Sequence, residues 1–202
     1  MTTTEPKTRL IEAAELQFRR FGYRRATVED VTRAADTGKG SFYLHFASKE
    51  DAYLAVVEAS LERFLSRAEV VLHRRGPVPQ RLQALVAATA DHYGKDELLR
   101  ASLFEDNDLV DGRAARRAAD IQRSRLTQLF VEVLEVGKEE GSIRSSINVE
   151  HTAIVLFEAG WAVVRSELAD TTDLPLDVAL DTLNDMVGLG LLVRAGQEQT
   201  AR

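Results

Sequence analysis

The sequence predicts an all-α protein of about nine helices, and three observations predict it. Apolar residues recur at helical spacing almost throughout, and no run alternates with the period of two that a half-buried strand requires. Only four prolines occur, two of them in Gly76-Pro77-Val78-Pro79. Start and stop residues punctuate the chain at helix-length intervals. Three short helices come first, so we expect a small N-terminal domain over 1–47 and a larger helical domain over 48–202.

The first helix is expected from about Lys7 to Phe21, with Leu10, Ala14, Phe18 and Phe21 on one face. Gly22 can take the left-handed conformation that ends it. Thr27-Val28-Glu29-Asp30 is a start signal, a threonine cap with an acidic residue three positions on. This second helix should stop near Ala35. Asp36-Thr37-Gly38 forms a turn in which Gly38 supplies backbone freedom. A third helix covers about Lys39 to His45. Ser48-Lys49-Glu50-Asp51 opens a long fourth one, reaching about Arg74. Pro79 suits the first turn of the next helix. Further helices are expected at about 79–94, 96–106, 113–139, 149–169 and 175–195, with fraying at 1–6 and 197–202.

Bulk properties narrow the function. Hydrophobic residues make up 45% and charged residues 29%, the balance of an ordinary folded chain. The absence of cysteine excludes disulfides and thiolate metal sites. Met1 to Lys7 carry no apolar run, and no stretch approaches the ~20 apolar residues of a membrane span. A cytoplasmic protein with no membrane partner is expected. The net charge of −6 argues against nucleic acid, but it is unevenly distributed. Residues 1–50 hold nine Lys and Arg against seven Asp and Glu, and the remainder is net −8. Such asymmetry suits one domain near an anion and another away from it.

Two short helices joined by a three-residue turn and braced by a preceding helix form a helix-turn-helix. The second helix of such a pair enters a major groove, so its outer face must be small or polar and its inner face apolar. In Lys39-Gly40-Ser41-Phe42-Tyr43-Leu44-His45-Phe46, Phe42 and Phe46 can anchor one face. Lys39, Ser41, Tyr43 and His45 remain for groove and phosphate, and Gly40 lets the backbone approach DNA. The bland alternative for Lys39, Ser41 and Tyr43 is a solvated face, and for His45 a structural or merely exposed histidine. Arg24 and Arg25 suit phosphate contact or plain solvation.

The run Thr27-Val28-Glu29-Asp30-Val31, Gly38 to Phe46 and Ser48-Lys49-Glu50 strongly resembles the DNA-binding domain of TetR-type repressors. The resemblance covers about residues 8–55. It implies a dimer that binds a palindromic double-stranded operator and leaves it when a small molecule enters the C-terminal ligand-binding and dimerisation domain. It also implies that Thr27 caps the second helix and can touch a phosphate. Lys39, Gly40 and Ser41 would sit at the groove end, Tyr43 and His45 on phosphates, and Lys49 on the backbone with help from the helix dipole. Three positions depart from the pattern: Thr32 replaces a common alanine, Asp36 a common glycine and Thr37 the usual valine.

In the C-terminal domain, Tyr93, Phe104, Phe130, Phe157 and Trp161 suit core packing singly and an apolar ligand cavity as a set. His151, Glu158 and Arg165 are spaced by seven, a solvent-facing stripe or a polar dimer seam. Alternatively, a buried Glu158 recognises a polar ligand atom. Leu176, Leu180, Leu183, Val187 and Leu191 recur helically, and Met186 to Val193 lacks a polar face, so a partner must cover it. A homodimer built with helix 149–169, where Ala159 and Gly160 allow close approach, would do so. The four histidines, His45, His73, His92 and His151, form no ligand pattern, and no phosphate loop or nucleophile elbow occurs. We therefore expect no enzyme, no cofactor and no metal. The expected function is a regulator released by a small, mainly apolar effector of unknown identity. The alternative is a DNA-binding protein of the same fold controlled by a protein partner.

Overall fold

The computed structural model describes residues 5–72, 76–103, 110 and 112–192, among which there are nine α-helices and no strand. They are α1 Pro6–Arg25, α2 Val28–Ala34, α3 Lys39–His45, α4 Lys49–Leu72, α5 Val78–Lys95, α6 Glu97–Leu103, α7 Gly112–Glu139, α8 Val149–Leu168 and α9 Leu176–Leu191. The all-α expectation holds. Phe104, Val193 and the C-terminal segment expected to fray lie outside the described residues. The chain forms two compact units, Met1–Leu65 with Tyr93–Arg123 and Ser66–His92 with Ser124–Arg202.

In the first unit α1 buries Leu10, Ala14 and Phe18 as their spacing predicts. Phe21 departs from that stripe. The helix bends at Gly22, whose φ of +74° suits a residue without Cβ. Tyr23 takes the buried place instead, 5.6 Å from the Phe18 ring and 5.1 Å from Tyr53 of α4. Phe21 stays 44% exposed, with the Arg20 guanidinium 5.0 Å over its face.

Lys49, at the start of α4, closes the end of α1. Its ammonium donates to the carbonyls of Tyr23 at 2.8 Å, Ala26 at 3.1 Å and Arg24 at 3.3 Å, and lies 4.5 Å over the Tyr23 ring. A helix leaves its last carbonyls without internal partners, and its negative end favours a cation.

Asp96 ties together α1, α4 and α6. One carboxylate oxygen accepts from the Leu99 amide at 3.2 Å and so caps α6. The other accepts from the Arg19 guanidinium and the Ser60 hydroxyl, both at 2.8 Å. Burial alone would push this carboxyl up, but the hydrogen bonds from Arg19 and Ser60 outweigh it and hold it below the usual range. Glu15 accepts from both Arg19 and Arg63 at 2.9 Å, a second tie between α1 and α4.

The turn between α2 and α3 corrects one expectation. Gly38 is extended, with φ −91° and ψ 161°, whereas Asp36 carries the left-handed backbone at φ +50°. The reason is how α2 ends. Thr37 N–H returns to the Thr32 carbonyl at 2.9 Å and Asp36 N–H to that of Arg33 at 3.3 Å. This pair of bonds requires a left-handed residue between them. The end of α8 repeats the device with Asp170 at φ +52°.

In the second unit Gly160 of α8 packs closely against α5. A Cβ there would lie 2.8 Å from Val86 Cγ2 of α5. The end of α9 is held by Arg144, whose N–H donates to the Leu191 carbonyl at 3.2 Å and whose guanidinium donates to that of Gly190. Leu180, Val187 and Leu191 of α9 are buried. Met186 and Leu189, on another face, are 66% and 78% exposed, and Ile154 and Val155 of α8 are exposed as well.

Two tests follow from these ties. A left-handed backbone costs an ordinary L-residue about 1–2 kcal/mol, and aspartate less. Asp36→Gly should therefore unfold in urea at an equal or higher midpoint, while Asp36→Val should lose about 1–2 kcal/mol. Equal losses would place no strain at residue 36. Because the Asp96 pKa is lowered on folding, its contribution is present above its unfolded pKa of about 3.9 and is lost as pH falls through the folded value. Asp96→Asn should cost about 1–3 kcal/mol at pH 7, shrinking as pH drops below about 4. Urea titrations of both proteins across that window provide the check, and a pH-independent difference would contradict it.

Candidate functional site

The helix-turn-helix is assembled from α1, α2 and α3. Thr27 begins α2 in a reciprocal capping box: its hydroxyl oxygen accepts from the Asp30 amide at 3.2 Å, and Asp30 accepts from the Thr27 amide at 3.0 Å. Its hydroxyl also donates to Asp30 at 2.6 Å. Thr32, the departure from alanine, is buried, and its hydroxyl donates to the Glu29 carbonyl at 3.2 Å. The polar atom is thus paired inside α2.

Phe42 and Phe46 seat α3, as their spacing of four predicts. Both are buried, with centroids 5.4 Å apart. The Tyr43 ring meets Phe42 edge-on at 5.3 Å and remains largely exposed. Lys39, Gly40 and His45 are exposed and Ser41 partly so. Glu29 of α2 forms an ion pair with Lys39. The Lys39 hydrogen bond holds the Glu29 carboxyl below its usual range and, reciprocally, Lys39 above its own. Both groups sit at the surface, where such a pair contributes little stability.

Leu44 was missed by the sequence reading. It is 83% exposed, the most exposed large apolar side chain among the described residues. It stands four residues after Gly40 and three after Ser41, so the three share one helical face. That spacing was a signal available in the sequence.

Lys49 is placed otherwise than as a freely extended surface cation, since three carbonyls of the preceding segment receive its ammonium. The dipole it meets within the chain is the C-terminal end of α1.

Of the residues expected around a cavity, the structure brings three together. Phe130 and Phe157 meet edge-on at 6.2 Å, and Phe157 stacks on Trp161 at 5.6 Å. With Val86, Thr89 and Gly160 they line a narrow cleft, part of it open to solvent. A second, somewhat larger narrow cleft, also partly open, shares Val86 and Phe130 and is bounded by Leu82, Leu180 and Asn184. Glu158 lines neither, and His151 and Arg165 of its stripe are exposed. Tyr93 belongs to the first unit, where it is wholly buried and its hydroxyl donates to Gln122. Burial pushes its pKa far up, so it stays a neutral donor. Phe104 lies outside the described residues.

Comparisons with known proteins agree with this geometry. Residues 10–56 match the family model described as bacterial regulatory proteins, tetR family. The HTH-type transcriptional repressor KstR2 of Rhodococcus jostii is 27% identical over 161 residues, covering 79% of this chain and 78% of that protein. The Bacillus subtilis regulator FadR, solved in complex with stearoyl-CoA, superposes with a TM-score of 0.66 at 16% identity over 91% of this chain and 98% of that one. A transcriptional regulator from Saccharomonospora viridis in complex with choline gives 0.61 at 20% identity over 93% and 98%. At such identities these two structures establish the fold. No described helix is long and apolar enough to cross a membrane. Residues 10–56 therefore carry a helix-turn-helix of the tetR type, and the chain as a whole is similar to bacterial transcriptional regulators of that family.

Proposed function

We propose that this regulator is a ligand-responsive repressor, acting in the cytoplasm. It binds a palindromic operator as a homodimer and releases it when a small, mainly apolar molecule enters the second unit. Residues 1–47 read DNA, and 48–202 dimerise and sense. The observation that carries this reading is α3, a helix seated on buried Phe42 and Phe46 whose outer face is Gly40, Ser41 and Leu44. A small face at 40 and 41 lets the backbone approach base edges, and Leu44 suits a thymine methyl group. Lys39 stands beside them, and Tyr43, His45 and the start of α2 at Thr27 meet phosphates. Lys49 contributes by holding the end of α1 as well as by its charge.

Dimerisation is supported by the uncovered apolar face of α8 and α9, where Ile154, Val155, Met186 and Leu189 lie open. A dimer holds its two reading helices about 34–36 Å apart, matching successive major grooves. The effector's class is inferred from the two clefts, whose linings are apolar apart from Gln83, Thr89 and Asn184. Stearoyl-CoA and choline, held by two structural neighbours, differ too much to indicate it. A ligand changes DNA affinity only by its differential affinity for the two dimer spacings. Filling the first cleft should mimic or block it, but Gly160→Leu cannot serve, because already a Cβ there would lie 2.8 Å from Val86 Cγ2. Ala162, exposed on α8, does not reach it.

Selecting an operator from random duplex DNA and screening compounds for its release tests the whole reading. Within that assay, Gly40→Ala is informative because a Cβ at 40 meets nothing of the chain within 4 Å. Alanine favours a helix by about 1 kcal/mol, so the variant should be at least as stable as wild type. It should nevertheless bind the operator about tenfold more weakly, ~1.4 kcal/mol. Lys39→Ala should flatten the salt slope by about 1. Wild-type affinity in both variants would remove α3 from the groove.

The interface is tested by Met186→Glu with Leu189→Glu. Charges buried there without partners cost about 3–5 kcal/mol, so light scattering should report a monomer with helix content unchanged. Leu191→Glu, by contrast, strikes a residue buried in its own chain and should unfold it. A folded dimer from the double variant would place the interface elsewhere.

A further inference from the structure

Among the described residues one buried side-chain polar atom has no hydrogen-bond partner, the Oδ1 of Asn184 on α9. Asn184 lines the larger cleft, whose other walls are mainly carbon: Pro79, Leu82 and Val86 of α5, Phe130 of α7 and Leu180 of α9. The second polar group there, the Gln83 amide, already donates to Asp181 at 2.6 Å. A buried acceptor left unpaired lowers stability, and an apolar residue of similar size would avoid the loss. An apolar cleft with one unpaired acceptor is instead suited to orienting a ligand through a single hydrogen bond. No lining residue is charged, so an ionic group would enter without a counter-charge and at high cost. The adjoining cleft shares Val86 and Phe130, which extends the apolar wall from Asn184 towards Phe157 and Trp161.

We propose that Asn184 is the polar anchor of the effector site, accepting a hydrogen bond from a neutral hydroxyl or amide N–H at one end of an elongated apolar ligand. The body of that ligand lies along Val86 and Phe130. This rests on the effector reading above and adds to it the donor group and the end of the tract where it binds.

Trp161 is the single tryptophan of the chain and lines the adjoining cleft, so its fluorescence reports occupancy. The probes are octan-1-ol and its isomer 1-methoxyheptane, equal in size, of which only the alcohol donates. Titrated into the full chain, the alcohol should bind about five- to tenfold more tightly than the ether. Asn184→Leu should abolish that preference while retaining both probes, and should melt about 2–4 °C higher because the unpaired acceptor is gone. If Asn184→Leu does not fold, Asn184→Ala and the wild-type ratio decide. Equal wild-type binding of the two probes, or tighter binding of the ether, overturns the anchor and leaves an apolar effector cleft standing. Binding of neither, in a chain whose DNA is released by some other compound, overturns the anchor and this cleft together. Failure of the compound screen to release DNA at all counts against the effector reading itself.

Discussion

An ammonium group on the first turn of one helix closes the end of another. Lys49 directs its donors at the carbonyls of Tyr23, Arg24 and Ala26, at and just beyond the end of α1. A cation at the start of α4 opposes that helix's own dipole, yet it satisfies the negative end of α1. The Phe18, Tyr23 and Tyr53 rings pack around the same junction. This junction sets where α1 stops, hence where Thr27 can begin α2 and how α3 is presented. The Arg19–Asp96–Ser60 cluster holds α1 and α4 at a second point and carries α6 with them.

Given that frame, α3 needs little of its own. It is seven residues long, too short to persist alone, and Phe42 and Phe46 hold it by burial. Its outer positions are therefore free of structural duty, and a Cβ at Gly40 would touch no other part of the chain. The Glu29–Lys39 pair adds a local constraint, because the lysine at the start of α3 already has an anionic neighbour. A phosphate at the proposed contact would compete with that carboxylate for the same charge.

The second unit divides its duties among helix faces. On α9, Leu180, Val187 and Leu191 turn inward, while Met186 and Leu189 turn away from the chain. Asn184 sits on the lining of a cleft, with an oxygen that no protein group satisfies. A helix serving both a core and an open apolar face has few positions left for polar residues. The proposed anchor role rests on that one unpaired oxygen.

The sequence by itself determined the helices and the helix-turn-helix. Both rest on local physics: the spacing of Leu10, Ala14 and Phe18, the Thr27 capping box, and the phenylalanines four apart in α3. What it could not assign were properties set by non-local neighbours. Phe21 fits the buried stripe by spacing, but the Gly22 bend gives its place to Tyr23. Gly38 was the natural choice for the unusual backbone, yet the carbonyls that end α2 put it on Asp36. Gly160 lies against Val86 of α5, and Leu191 is buried in its own chain while Met186 and Leu189 stay exposed. Phe130, Phe157 and Trp161 do meet, as their set suggested. Asn184 drew no attention, since an asparagine in a helix carries no local signal. Its significance arises only from what surrounds it in three dimensions, because burial and hydrogen-bond satisfaction belong to packed neighbours rather than to residue order.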